Sequence, residues 1–252
     1  MGETHEVWPE AYDRVVLDEV DSTMDEAARR VPSLARPTWI MAHRQTAPRG
    51  RRGNRWATPS GAFAATVAIR PAGAAADAAL RSFVAANALF ETLAMYVPRE
   101  RLGLKWPNDV LLDGGKVAGI LLEAQGRGGE VDWLTVGFGV NLMGPPSHVA
   151  DAAFPPVGLF DAGGDPVEAD EFLETLALNF ATGERIFEEL GFDAVREDWL
   201  RHAARLGEVI TARTGTREIT GRFETVDPTG ALVLETPEGT ERISAADVFF
   251  PG

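Results

Sequence analysis

Leu104-Lys105-Trp106-Pro107-Asn108-Asp109-Val110-Leu111-Leu112, then Asp113-Gly114-Gly115, then Lys116-Val117-Ala118-Gly119-Ile120-Leu121-Leu122-Glu123, is the stretch on which the fold turns. Apolar runs meet across Asp113-Gly114-Gly115, and that triplet carries the turn chemistry of a β-hairpin, so the flanking runs read as paired strands. Pro107 sits between two extended runs, which places Asn108 and Asp109 on a bend. Lys105, Asp109 and Lys116 flank or interrupt apolar strands, where an unpaired charge is costly to bury. Each is either a solvent-facing residue or part of a site, and local sequence leaves both readings open.

Working back towards the N-terminus, Gly61 to Ile69 alternates Phe63, Ala65, Val67 and Ile69 as a half-buried strand should. Thr38 to His43 is a shorter apolar strand. Between them lies Arg44 to Pro59, RQTAPRGRRGNRWATP, which reads as an insert between two paired strands. It crowds Arg49, Arg51, Arg52 and Arg55 around Gly50 and Gly53, in a chain of formal net charge -14. Guanidinium forks offer paired donors to carboxylate or phosphate oxygens, and the glycines let main-chain N–H groups approach closely, so the segment suits a strongly anionic ligand. It also reads as a solvated loop. A nucleic-acid patch fits less well, because the rest of the chain is acidic and no basic face accompanies it.

Earlier still, Tyr12 to Val20 has strand character and runs into Asp21-Ser22-Thr23 ahead of a helix, MDEAARRV. Thr23 and Glu26 have the spacing of a capping box, and a helix start can equally hold an anion. Asp77 to Val97 reads as one core-facing helix. Beyond the hairpin, Val131 to Leu142 is a strand closed by Gly137, Gly139 and Asn141, where glycines mark close approach of ligand or backbone. Pro145 to Pro166 is loop-rich, Val167 to Leu190 is a helix with a core stripe, and Phe192 to Ala204 is a shorter one. From Gly207 onward, four or five short strands joined by tight turns make a small β-barrel. The chain thus divides into residues 1–204 and 205–252, and nothing in the second part looks catalytic.

Composition removes several function classes. With 252 residues and 45% hydrophobic content the chain can bury a full core. It has no apolar run of about 18 residues, so a transmembrane helix is not expected. The polar N-terminus lacks signal-peptide character, which places the protein in the cytoplasm. Zero cysteines exclude disulfides, thiol nucleophiles and thiolate metal sites. His5, His43, His148 and His202 show no metal-ligand spacing, so chemistry rests on Lys, Arg, Asp, Asn and hydroxyls, a palette suited to stabilising phosphoryl or acyl charge.

Five separated stretches resemble the biotin protein ligase family, and they occur in its order. They are Asp21-Ser22-Thr23, Gln45 through Pro59, Lys105-Trp106-Pro107-Asn108-Asp109, Lys116 through Leu121, and Gly137-Phe138-Gly139-Val140-Asn141-Leu142. The resemblance covers nearly the whole chain, and KWPND followed closely by KVAGIL is its most specific part. It implies an α+β fold, with a mixed sheet and flanking helices as in biotin/lipoate ligases and class II synthetases, and a C-terminal SH3-like barrel. It also implies biotinyl-5′-AMP formation from biotin and ATP with Mg²⁺, then transfer to a lysine of a biotin carboxyl carrier domain.

By that resemblance, Arg51, Lys116 and Asp109 are catalytic. Biotin meets Ser22, Thr23, Gln45, Arg49, Arg51, Lys116 and Gly119; ATP meets Arg51, Arg52, Arg55, Trp56, Lys105, Asn108 and Asn141, with Asn141 also facing the metal. Two departures from the family's GRGRRGR pattern are Pro48 for its first glycine and Asn54 for its last arginine, with Arg55 one position later. No DNA-binding helix-turn-helix precedes the catalytic part, so a monofunctional enzyme is expected, as a monomer or homodimer with neither nucleic-acid nor membrane partners. Lipoyl transfer and a non-catalytic biotin- or nucleotide-binding homologue are the alternatives.

Overall fold

β1 (Asp13–Val20), α1 (Thr23–Arg30) and β2 (Thr38–Gln45) form a crossover unit in which β1 and β2 run parallel, Val20 opposite Gln45. β3 (Phe63–Ile69) returns antiparallel to β2, so the arginine-rich stretch does link two paired strands. This computed structural model describes residues 8–50, 61–71, 75–127, 130–146, 154–215 and 217–250. Arg51, Arg52, Asn54, Arg55 and Trp56 lie outside the described residues.

β4 (Leu102–Lys105), β5 (Asp109–Leu112), β6 (Gly115–Arg127) and β7 (Glu130–Val140) complete a seven-stranded mixed sheet in the order β1-β2-β3-β7-β6-β5-β4. Asp113 and Gly114 close the β5–β6 hairpin with φ of 50° and 78°, as a tight turn with two left-handed residues requires. Asp109 is not on the bend expected for it. The turn is confined to Trp106-Pro107-Asn108, and Asp109 opens β5 opposite Lys105.

The main core lies on one face of the sheet, beneath α3 (Arg81–Leu93), α4 (Ala169–Leu190) and α5 (Phe192–Arg201). Trp39 of β2 meets Phe138 of β7 and Phe180 of α4 at ring separations of 5.4 and 5.6 Å, and Phe63 meets Phe172 at 4.9 Å. Such aromatic pairs add roughly 0.5–1.5 kcal/mol each beyond the area they bury. The single helix expected over 77–97 is two, because α2 (Ala75–Ala79) is separated from α3 at Leu80. Past Leu93 the chain tightens, Met95 N–H reaching Thr92 O and Tyr96 N–H reaching Leu93 O.

The opposite face of the sheet is covered at one end by α1. Gly137 allows that approach, since a Cβ there would lie 2.7 Å from Met24 Sδ. The expected capping box is absent. Ser22, not Thr23, is the cap residue, and Glu26 turns to Arg29 and Arg30. The Thr23 hydroxyl is engaged by residues of the sheet instead, and Asp21 Oδ1 accepts from Ser22 N–H at 2.7 Å.

The C-terminal strands β8 (Val209–Arg213), β9 (Glu218–Val226), β10 (Leu232–Thr236), β11 (Gly239–Ile243) and β12 (Asp247–Phe249) form a five-stranded antiparallel sheet in the order β11-β10-β9-β8-β12. The turn after β9 is built on Asp227, whose Oδ1 accepts from Thr229 N–H and Ala231 N–H, and it presents Gly230 O to Trp106 Nε1 at 3.1 Å. The bend before Asp109 is thereby tied to the C-terminal sheet.

Candidate active site

One register row crosses five strands on the α1 face. Ala64 of β3 pairs with Gly139 of β7, Gly139 with Gly119 of β6, Gly119 with Asp109 of β5, and Asp109 with Lys105 of β4. Directly opposed residues in neighbouring strands point to the same side, so these share a face. Two adjacent glycines leave a floor without side chains, and charge begins at the row's end. Strands lie about 4.8 Å apart, so Asp109 and the β3 end of the row are separated by roughly 14 Å at the backbone.

At the charged end, Asp109 holds two ammonium groups. Lys105 Nζ lies 3.0 Å from its Oδ2 and Lys116 Nζ 2.6 Å from its Oδ1. Asp109 and Lys105 are only 9% and 7% exposed, which is tolerable because each offsets the other's charge. Burial alone pushes the Asp109 carboxyl up, but Lys105 and Lys116 outweigh it and hold it below its ordinary value.

Lys116 reaches this face through an irregularity in β6. Strict alternation would put Lys116 with Ala118 and Ile120, both buried on the core face. The register instead steps from Val110↔Ala118 to Leu111↔Lys116, leaving Val117 as an extra residue. That one-residue bulge reverses the face, so Lys116 shares Asp109's side of the sheet.

The hydrogen-bonded side chains gathered at the other end of the face are neutral. Thr23 N–H donates to Gln45 Oε1 at 2.8 Å, Thr23 Oγ1 donates to the same atom at 3.3 Å, and Thr66 Oγ1 donates to Thr23 Oγ1 at 2.9 Å. Ser22 is 1% exposed, yet its hydroxyl has no partner among the described residues. A buried hydroxyl without a partner is costly and is satisfied when a polar ligand group fills the site.

A strap over 154–159 secures the remaining groups. Lys116 N–H donates to Pro155 O, Val157 N–H to Lys116 O, and Asn141 Nδ2 to Val157 O at 3.1 Å and Lys116 O at 3.4 Å. Those bonds fix the Asn141 amide with its Oδ1 buried and unpartnered among the described residues. Phe154 at the start of the strap lies under Lys105 Nζ at 4.8 Å and edge-on to Phe250 at 4.8 Å. The segment after β12 therefore touches the ammonium cluster through two rings.

Of the residues singled out from sequence, the structure brings Lys105, Asp109, Lys116 and Gly119 together at the charged end, with Asn141 bound to the Lys116 carbonyl, and Ser22, Thr23 and Gln45 together at the neutral end. Arg49 has its guanidinium committed to Asp25 and Glu123. Asn108 donates through Nδ2 to Ile120 O and so braces β5 against β6. Sequence reasoning passed over Thr66 and Phe154. The signal for Thr66 is a lone hydroxyl amid GAFAATVAI; for Phe154 there is none, because its contacts come from residues 105 and 250.

Residues 16–141 match the Biotin/lipoate A/B protein ligase family, and residues 206–250 match the Biotin protein ligase C terminal domain. The chain is 49% identical over 94% of its length to the biotin--[acetyl-CoA-carboxylase] ligase of Paracoccus denitrificans, all of which is covered. It is 28% identical over 92% of its length to the bifunctional ligase/repressor BirA of Bacillus subtilis (strain 168), covering 71% of that protein. Among solved structures, the biotin protein ligase from Aquifex aeolicus in complex with biotin and ATP superimposes with a TM-score of 0.79 at 25% identity, covering 94% of this chain and 97% of that one. The two profiles, the sequence relatives and the shared architecture agree that the chain belongs to the biotin protein ligase family.

Proposed function

We propose that the chain works as a biotin--[acetyl-CoA-carboxylase] ligase whose two half-reactions share the glycine-floored face. A biotin carboxylate oxygen attacks the α-phosphorus of ATP, the bond to the β-phosphate oxygen breaks, and pyrophosphate leaves with the electron pair. A carrier lysine amine then attacks the acyl carbon of the adenylate, loses a proton, and AMP departs. The observation that carries this reading is the row Ala64-Gly139-Gly119-Asp109-Lys105, a flat bed with a neutral hydrogen-bonding cluster at one end and two ammonium groups at the other. A ligand with a polar uncharged head and an anionic tail matches both ends.

Lys116 supplies positive charge where two anions must meet and where charge builds on the phosphoryl oxygens. Asp109 holds it there. With both oxygens engaged by ammonium groups and its basicity reduced, this carboxylate is a poor proton acceptor, which favours a positioning role over activation of the incoming amine. Among the described residues no cluster of His, Cys, Asp and Glu could hold a metal. Asn141 Oδ1, fixed and unpartnered, is the protein oxygen that would face Mg²⁺, an ion that keeps most of its ligands as water and phosphate oxygens. When bound, the ion would offset phosphate charge. Arg51, Arg52, Arg55 and Trp56 belong to the same proposal on the strength of the family pattern. A cytoplasmic location also belongs to it; among the described residues no helix is long and apolar enough to cross a membrane.

Incubation with ATP, Mg²⁺, biotin and a carrier domain, read by intact mass of the carrier, tests the function. One biotinyl addition is expected, absent when either ATP or biotin is omitted; an unmodified carrier overturns the reading. Lipoate in place of biotin is expected to give no addition. Residues 1–204 are proposed as the catalytic domain and 205–252 as its support. Phe250→Ala, which removes the ring that holds Phe154 against Lys105, is expected to lower biotin-dependent pyrophosphate exchange about two- to tenfold, the worth of one aromatic contact. Unchanged exchange would show that the C-terminal sheet does not act through this contact.

A further inference from the structure

We propose that Thr66 is a positioning residue for ligand recognition, because its hydroxyl fixes the hydrogen-bond polarity that turns the Gln45 amide with its NH₂ towards the ligand. The inference rests on the biotin-binding reading of this face.

A backbone N–H can only donate, so the Gln45 atom 2.8 Å from Thr23 N is the carbonyl oxygen. The single hydrogen of the Thr23 hydroxyl is spent on that same oxygen, at 3.3 Å. Thr23 Oγ1 is then left with lone pairs, and the donor that meets them is Thr66 Oγ1 at 2.9 Å. Each hydrogen in this chain of three side chains has one direction. Gln45 Oε1 receives two donors, and Nε2 keeps its two hydrogens for a ligand acceptor such as the carbonyl oxygen of a urea.

Placement supports the assignment. Thr66 is 0% exposed in the middle of β3, on the α1 face with Ala64, and its register partner is Gly137. A Cβ at Gly137 would come within 3.5 Å of Thr66 Oγ1, so the neighbouring strand leaves the hydroxyl room to reach Thr23. Nothing in the strand's own pairing requires a hydroxyl there, and a valine would fill the same volume. Without Thr66 the Thr23 hydroxyl has no fixed acceptor role, can rotate away from Gln45, and leaves the amide held by one bond.

The test is the biotin dependence of pyrophosphate exchange, with Thr66→Val, Thr66→Ser, Gln45→Ala and the double variant Thr66→Val/Gln45→Ala, and with thermal melts to confirm folding. Thr66→Val is expected to raise the KM for biotin about five- to tenfold, the effect of losing one neutral hydrogen bond, with the KM for ATP unchanged. Thr66→Ser, which restores the donor, should return the KM for biotin to near the wild-type value. In the Gln45→Ala background, Thr66→Val should add nothing further.

An unchanged KM for biotin in Thr66→Val, a full additional effect in the double variant, or a serine variant no better than valine would each overturn the assignment. A wild-type chain that neither exchanges pyrophosphate nor binds biotin in calorimetry would overturn the functional reading, and the ligand assigned to Gln45 with it.

Discussion

Lys116→Ala is expected to lower biotin-dependent pyrophosphate exchange by about 10²–10³-fold while leaving the melting curve close to that of the wild type. The kinetic effect is large because this ammonium is a half-buried cation held 2.6 Å from Asp109 at the charged end of the glycine-floored face, where a carboxylate and a phosphate are proposed to meet. The structural effect is small because Asp109 keeps Lys105 at 3.0 Å, so the variant leaves no buried charge alone. Transfer from preformed biotinyl adenylate should fall less than adenylate formation, since only the first half-reaction brings two anions together. Exchange within a few-fold of wild type would remove Lys116 from the reacting centre.

Asp109→Asn is expected to fail in both respects. Two ammonium groups would then share a neutral amide, one of them on a side chain 7% exposed. Breaking a buried pair from one side costs about 3–5 kcal/mol, visible as a fall in the denaturant midpoint. Exchange should fall with it, as Lys116 loses the group that holds it in place. Acid provides a second measurement. The folded carboxyl is depressed below its ordinary value of 3.8, so its contribution is complete above about that pH and is lost as pH falls through the lower folded value. The wild type should lose stability steeply in that acid range, and the asparagine variant should lack this component. Matching acid profiles for the two proteins would show that the ion pairs contribute nothing to the fold.

What could be read from the sequence was what is determined locally. Asp113-Gly114 announces its hairpin because two consecutive left-handed residues restrict the side chains allowed there, and the structure has both. The alternation from Phe63 to Ile69 names the core face of β3 correctly, since all four odd-numbered residues join the main core, but the strand is buried throughout and not half-buried, because α1 packs on its other face. The helix cap went astray because its competitor is remote. Thr23 has the spacing for a capping box, but Gln45 and Thr66 claim its hydroxyl, and neither is visible in a local window. The buried partnership of Lys105 and Asp109 was equally hidden, since either could have faced water until β4 and β5 were seen to put them opposite each other.

The orientation of Lys116 depends on arithmetic more than on packing. Because Val117 is a supernumerary residue on one arm of the hairpin, the same residues paired in unbroken alternation would turn the amine to the core side of the sheet, whereas a hairpin shortened by Val117 alone would still set Lys116 opposite Leu111 but lose a fully buried side chain. The phase set by this irregularity is thus a constraint separate from stability, and an engineer grafting or trimming this segment would have to keep the extra residue and its bulge together, or remove both together.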